Sequence, residues 1–426
     1  MKTLLPILCA LLWASNAISQ GYDIYVSDAG NFGQPPWQIL KFDQNGENPE
    51  VFITENLAWP HDIVFLEEAN TVLISNFNSG SIDRYNAETG AFIDVFTSDV
   101  IAPTRMKIGN DNLLYVIQGS GNGRVRRFQL DGTFVDDFTN VGLSRSLGMD
   151  WDSAGNLHVA TYDGQLVRKF NANGVDQGNF ITTNLTGPTN AWFDDNGDML
   201  VSDYDGGAVR RFNSEGAYLG DFIQGLSESE GVDFLPNGNI LIGNGGTSSV
   251  KMFTPAGVYI EDIVPSQSGN LKQPNAVVVR NRAFQINPGL NDAWYNPATN
   301  GQGFLVTVFP DIEQMYVAWF TFDTQRPPDD VTAQLGDPGH RWLTAQGPYD
   351  GNSATLTIFV TEGGVFDAAQ PPATTDPAGD GTMQLKFDNC TDGTVNYQIT
   401  SLGISGEIPI QRIALDNVPL CQALEE

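Results

Sequence analysis

The chain has 426 residues, enough for two domains, and carries 21 Lys and Arg against 51 Asp and Glu, a formal charge of −30. Such a surface repels nucleic acid and anionic lipid, so neither is expected as a partner. Only three His are present, His61, His158 and His340, too few and too scattered for a histidine-based zinc centre.

Residues 1–19 read as a secretory signal rather than as part of the fold. Lys2 precedes an apolar core from Leu4 to Trp13, and Ala17 and Ser19 set small residues before a cleavage point at Gln20. The apolar run is too short to span a bilayer, so a secreted or periplasmic protein without a membrane span is expected. Cys9 leaves with the signal. Cys390 and Cys421 remain, and in an oxidising compartment they are expected to form one disulfide, the alternative being two free thiols.

From residue 22 the chain repeats itself. In 187–224 four short apolar or alternating runs are separated by Asp-Asn-Gly-Asp, Asp-Gly-Gly and Asn-Ser-Glu-Gly, residues that accept the backbone of tight turns. This is a four-stranded antiparallel meander. Its third-strand aromatic recurs as Phe42, Tyr85, Phe128, Phe170, Phe212 and Phe253, at gaps of 41 to 43 residues. A period in the low forties with four strands per unit predicts β-propeller blades, with these aromatics packed between blades. The first unit, at Tyr22, begins on a second strand, whereas Gln273–Val279 reads as an inner strand with no blade after it. The late strand is therefore expected to join the first blade and shut a ring of six. The predicted blades span 22–57 with 273–280, then 58–98, 102–140, 144–182, 187–224 and 227–265.

Gly-x-Leu-Tyr/Leu-Val-x-Asp followed by Gly-x-Val-Arg-Arg-Phe resembles the NHL repeat, and more widely the propellers of the SMP-30/gluconolactonase type. The resemblance covers about residues 22–280. It implies the six-bladed fold, and it implies a range of activities from binding to lactone hydrolysis.

After Arg280 the repeat stops. Strand-like runs at 304–309, 315–322, 341–346, 354–360, 382–387, 395–400 and 407–413, separated by turns and Pro-rich loops, predict a smaller antiparallel β sandwich or barrel. The domains expected are thus a signal at 1–19, a propeller at 20–282 and an all-β domain at 283–426 whose last strands the disulfide staples. The opening Trp294-Tyr295-Asn296-Pro297 with Gly301-Gln302-Gly303-Phe304, and the later Ala318–Phe322, resemble a C-terminal module of exported bacterial proteins. Trp294, Trp319 and Trp342 are expected in its core, the alternative being stacking on a sugar or peptide.

No Gly-x-Ser-x-Gly elbow, His-Glu-x-x-His or P-loop is present. The candidate chemistry lies at the starts of the inner strands. One residue before the small or apolar residue that opens each strand are Asp62, Arg105, Leu147, Asn190, Glu230 and Asn275, which are expected to face a central channel. Asn190, Glu230, Asn275 and Asp62 would then form an arc of oxygen donors suited to Ca²⁺. Hydrolases of the SMP-30 and paraoxonase type hold a channel metal on Glu, Asn and Asp at strand starts. Ser229-Glu230-Gly231 and Thr189-Asn190-Ala191 resemble two of those sites, with Ala191 standing where Gly is usual. The resemblance implies a calcium-dependent lactonase or esterase, with Asp62 or Glu230 as base and Arg105 as oxyanion or carboxylate partner. The other reading, placed first because no convergent catalytic set is evident, is a monomeric exported scaffold. Its propeller top face would bind a protein, peptide, glycan or small molecule, with no cofactor.

Overall fold

The computed structural model describes residues 21–322, 324, 340–365 and 367–425, with His340 described by its backbone alone. The signal-like residues 1–19 lie outside the described residues. Two compact units are present, Tyr22–Arg280 and a second one containing Asn281–Glu426.

Tyr22–Arg280 is a six-bladed propeller. Five blades are sequential meanders, and the sixth sheet joins Pro274–Asn281 to Tyr22–Asp28, Gln38–Phe42 and Glu50–Ile53. The ring is thus shut by the late strand, as the sequence predicts. The repeated aromatics explain why the chain curls. Phe42, Tyr85, Phe128, Phe170, Phe212 and Phe253 are all buried, five of them at 0–1% exposure. Each lies in an apolar cluster shared with the preceding blade: Phe253 with Leu200 and Val209, and Phe42 with Leu241 and Val250 across the closure. One such cluster fills each blade-to-blade interface. Burying a large ring contributes about 1.5–3 kcal/mol, so the aromatic period is also the stabilising period of the toroid.

The second unit is a closed eight-stranded antiparallel barrel. Its strands are Asp292–Tyr295, Gly303–Phe309, Gln314–Phe322, His340–Asp350, Ser353–Phe359, Gly381–Phe387, Asp392–Ile399 and Ile404–Arg412. The sequence offers seven of these and leaves sandwich or barrel open. The missing strand is Asp292–Tyr295, whose four residues sit among turn signals. It closes the cylinder by pairing Trp294 with Arg412 and Tyr295 with Gln411. Strict alternation drives the inside–outside sorting: Phe304, Val306 and Val308 are buried, while Leu305 and Phe309 are exposed. The disulfide Cys390–Cys421 is present, but it does not join two strands. It ties the turn after Phe387 to the short helix Val418–Ala423.

Candidate functional site

Each inner strand of the propeller starts the same way. The last polar side chain of the second strand reaches back and holds the loop that leads into it. Asn76 Oδ1 accepts from Ala58 N at 2.9 Å, Gln118 Oε1 from Ile101 N at 3.0 Å, Asp203 Oδ1 from Gly187 N at 2.6 Å, and Asn244 Oδ1 from Ser227 N at 2.7 Å. Asp28 does the same for Gln273 N at 2.9 Å. The carbonyls of Trp59, Ala102, Arg145, Gly187, Glu228 and Gln273 then accept from the residue just past each second strand: Phe77, Gly119, Tyr162, Tyr204, Gly245 and Ala29. These two sets are therefore equivalent around the ring and define the upper rim of the channel.

Counting inward from that rim corrects the sequence alignment. A β-bulge follows the strand start in the five sequential blades: Pro60 faces Asn76 and Asp62 faces Ser75, Ser146 faces Thr161 and Gly148 faces Ala160, Pro188 faces Asp203 and Asn190 faces Ser202. Two levels result. His61, Thr104, Leu147, Thr189, Glu230 and Asn275 form the upper one. Asp62, Arg105, Gly148, Asn190, Gly231 and Ala276 form the lower one. The expected single ring thus mixes two levels, with Asp62, Arg105 and Asn190 below and Leu147, Glu230 and Asn275 above. The error has a steric source. At Gly148 and Gly231 the neighbouring inner strand crosses so close that a Cβ would meet Asn190 Cα at 2.7 Å or Val277 N at 2.5 Å. Gly148, Gly231 and Ala276 are small where inner strands cross closely, and they are not equivalent to Ile63 or Ala191.

Asp62, Glu230 and the backbone of Asn275 converge on Arg105, whereas Asn190 Nδ2 donates to the carbonyl of Glu230 at 3.1 Å. Arg105 Nη1 donates to the carbonyl of His61 at 2.6 Å and lies 3.5 Å from Asp62 Oδ1. Its Nη2 donates to the carbonyl of Asn275 at 2.6 Å and lies 4.0 Å from Glu230 Oε2. One guanidinium thereby links its own blade to three others. Arg105, Asp62 and Glu230 are 6–8% exposed. Below the arginine lies a cavity of about 390 Å³ lined by Ile63, Met106, Lys107, Trp192, Asp233 and Val277.

Of the oxygens that could hold Ca²⁺, those of Asp62, Asn190 and Asn275 already accept hydrogen bonds. Asp62 Oδ2 accepts from Met106 N at 2.7 Å, and Asn190 Oδ1 accepts from Ala191 N at 3.0 Å. With its amide nitrogen turned to Glu230 Oε2 at 3.2 Å, Asn275 accepts from Trp59 Nε1 through its oxygen at 3.0 Å. Ca²⁺ needs six to eight oxygen ligands, and here a fixed cation stands among the donors. As arranged, these residues do not fit the ion. Nor is there, among the described residues, any group of three or more His, Cys, Asp or Glu placed to hold a metal.

Burial governs the titration of the throat. It pushes the Glu230 carboxyl up to about 7, against the opposing pull of Arg105 and Arg145. It also raises Asp62, with Arg105 opposing. His61 falls well below its ordinary value through burial and then through Arg105 and Arg145, so its ring is neutral at physiological pH. In the folded protein Glu230 holds its proton to higher pH than in the unfolded chain, where the carboxyl titrates near 4.5. Its favourable contribution is complete below pH 4.5 and lost as pH rises through 7. Glu230→Gln is therefore expected to stabilise the propeller at pH 8 relative to pH 4 by about 1–3 kcal/mol, read from chemical denaturation at both pH values.

The upper rim holds side chains that the sequence reading passed over. Trp59 packs on Phe77 at 4.7 Å, on Phe32 at 5.4 Å and on His61 at 5.8 Å. Arg145 stacks over Tyr162 at 4.5 Å, and Tyr162 lies 6.2 Å from Tyr204. Trp59, Ala102, Arg145 and Glu228 all hold left-handed backbone, with φ between 47° and 59°. That conformation is costly for such side chains and gathers at functional sites. Two buried polar atoms of the throat, His61 Nδ1 and Arg105 Nε, have no hydrogen-bond partner among the described residues. The signal was available: these rim residues recur at fixed offsets from the strand starts.

No protein-family model matches the sequence, and no curated protein does. Solved structures match the fold. One is a nidogen/laminin complex, at 14% identity and a TM-score of 0.51, covering 61% of this chain and 98% of that one. Another is a protein of unknown function from Bacteroides caccae, at 14% identity and a TM-score of 0.50, covering 62% and 100%. At such identities the likeness shows the fold alone. The class is thus a six-bladed β-propeller protein carrying a separate eight-stranded barrel.

Proposed function

We propose that the propeller is an exported recognition scaffold whose upper rim binds a peptide or glycan. The observation that carries this reading is Arg105, whose guanidinium stands between the carboxylates of Asp62 and Glu230 and holds the carbonyls of His61 and Asn275. The aromatic sets at Trp59–Phe77 and Tyr162–Tyr204, with Arg145 and Glu228 between blades, offer stacking faces and charge for an extended polar ligand. A propeller of this fold has been solved in a nidogen/laminin complex, so partner binding is within the reach of the architecture. The repeat resemblance to NHL and SMP-30 propellers is compatible with that role. Export is supported by the signal-like 1–19 and by the disulfide, which fits an oxidising, non-cytoplasmic compartment. Among the described residues no helix is long and apolar enough to cross a membrane.

Peptide and glycan arrays probed with the wild type, Trp59→Ala and Tyr204→Ala test the reading. Wild-type signals are expected to fall about tenfold or more in both variants, as loss of an aromatic anchor costs 1.4 kcal/mol or more. Equal binding by all three proteins would refute it. The hydrolase alternative is tested by melting in EDTA and then in excess Ca²⁺. No shift is expected. A rise that Glu230→Gln abolishes, together with turnover of lactones or aryl esters, would reinstate the calcium-dependent reading.

A further inference from the structure

The barrel is closed at one end and hollow at the other. Phe284, Ile286 and Leu290 run beneath it, and the helix Val418–Ala423 completes the floor with Val418 and Cys421 buried. Asn287 Nδ2 donates to the carbonyl of Cys421 at 3.2 Å, and Arg412 reaches the carbonyls of Cys390 and Gly289 while pairing with Asp292 at 2.8 Å. Side chains of Trp294 and Phe387, 5.0 Å apart, fill the space above this floor.

Toward the other end Trp319 and Tyr397, on non-adjacent strands, still meet across the interior, and the packing loosens only beyond them. A cavity of about 600 Å³ opens between the strand ends at Gly303, Phe322, Ile399 and Ile404. Its wall is Phe304, Trp319, Leu343, Tyr397, Ile399 and Ile408. Phe304 and Trp319 stack at 5.4 Å with 27° between their planes, and Tyr397 meets Trp319 edge-on at 5.0 Å. The lip is polar: Thr321 Oγ1 donates to Gln302 Oε1 at 2.6 Å, and Asp380 Oδ1 accepts from Ser401 N at 2.8 Å. Eight-stranded barrels have interiors that are either filled by side chains or wide enough for one small ligand, and this one keeps a cavity at the end where Tyr397, Ile404 and Ile408 are only partly buried.

We propose that the barrel is a second binding site, a cup for one small planar apolar molecule with a polar end. The rings would lie against Tyr397, Ile404 and Ile408, with Phe304 and Trp319 as the base beneath them, and the polar end would sit at the Gln302–Thr321 lip. This site is built wholly within the second unit and does not rest on the propeller reading. Of the three tryptophans singled out in the sequence, Trp294 belongs to the floor packing, Trp342 is 52% exposed, and Trp319 is the one that lines the cup.

The probe is 8-anilinonaphthalene-1-sulfonate, which has fused apolar rings and one sulfonate, titrated into the folded full chain. Saturable binding of one dye per chain, with a rise in the barrel's melting temperature, is expected. Thr321→Phe, which narrows the mouth, is expected to weaken it by about tenfold or more, whereas Tyr204→Ala in the propeller leaves it unchanged. If Thr321→Phe melts below the wild type, Ile408→Phe fills the same space from another strand and is judged by the same standard. Absence of saturable binding, or unchanged affinity in a folded mouth-filling variant, overturns the proposal.

Discussion

Arg105→Ala is expected to be the most damaging single substitution in the propeller, costing about 3–5 kcal/mol at pH 8. The side chain is 6% exposed, and its removal leaves Asp62 and Glu230 buried without their cation. It also strips the donors from the carbonyls of His61 and Asn275, two links that tie different blades together. The loss should shrink toward pH 5, because Glu230, already held up to about 7, then takes a proton and no longer needs the charge. Arg105→Lys should recover only part of it. An ammonium keeps the charge but cannot span two carbonyls with a planar fork. Chemical denaturation of the propeller transition at pH 5 and pH 8 separates these terms. If alanine costs less than about 1 kcal/mol at both pH values, the arginine is not the hub of the ring.

Removing the disulfide is expected to have the next largest effect, on the other unit. Cys390 and Cys421 are 31 residues apart, and closing such a loop restricts the unfolded chain by about 3–4 kcal/mol in the chain-entropy model. The native side of the balance also suffers. Cys421 sits against Gly289, where even a Cβ would approach Cys421 Cα at 2.2 Å, so the helix is seated without slack. With Ser at both positions the barrel transition should fall by that amount and the propeller transition stay where it is. The same result is expected on adding reductant to the wild type. A barrel that melts unchanged in reductant would show that the floor is held by Arg412 and the apolar contacts alone.

How much of this was legible in the residues follows from which forces act at short range. The blade count, the blade spans and the late closing strand came from an aromatic period and from turn chemistry, both of which a sequence displays directly. The rank of donors at the channel did not. Whether Asp62 and Glu230 share a level depends on a bulge, and the bulge appears only once strands are paired. Gly148, Gly231 and Ala276 look like strand openings in the sequence, but their smallness serves the close crossing of neighbouring strands. That Arg105 turns back across the axis is a rotamer choice made by the carbonyls of His61 and Asn275, for which side-chain identity gives no cue. The upper rim was legible in principle, since Trp59, Arg145 and Glu228 stand at equal offsets, but a search for metal donors passes over aromatics. In the barrel, alternation exposed seven strands, and the four-residue eighth was lost among turns.

A crystal structure of the wild-type protein grown or soaked in millimolar Ca²⁺ bears most directly on the role of the channel. The expected density is a planar guanidinium between the carbonyls of His61 and Asn275, with no ion among Asp62, Asn190, Glu230 and Asn275. A spherical peak ligated by those four residues, with Arg105 swung out of the axis, would contradict it and return the propeller to the metal-dependent hydrolases.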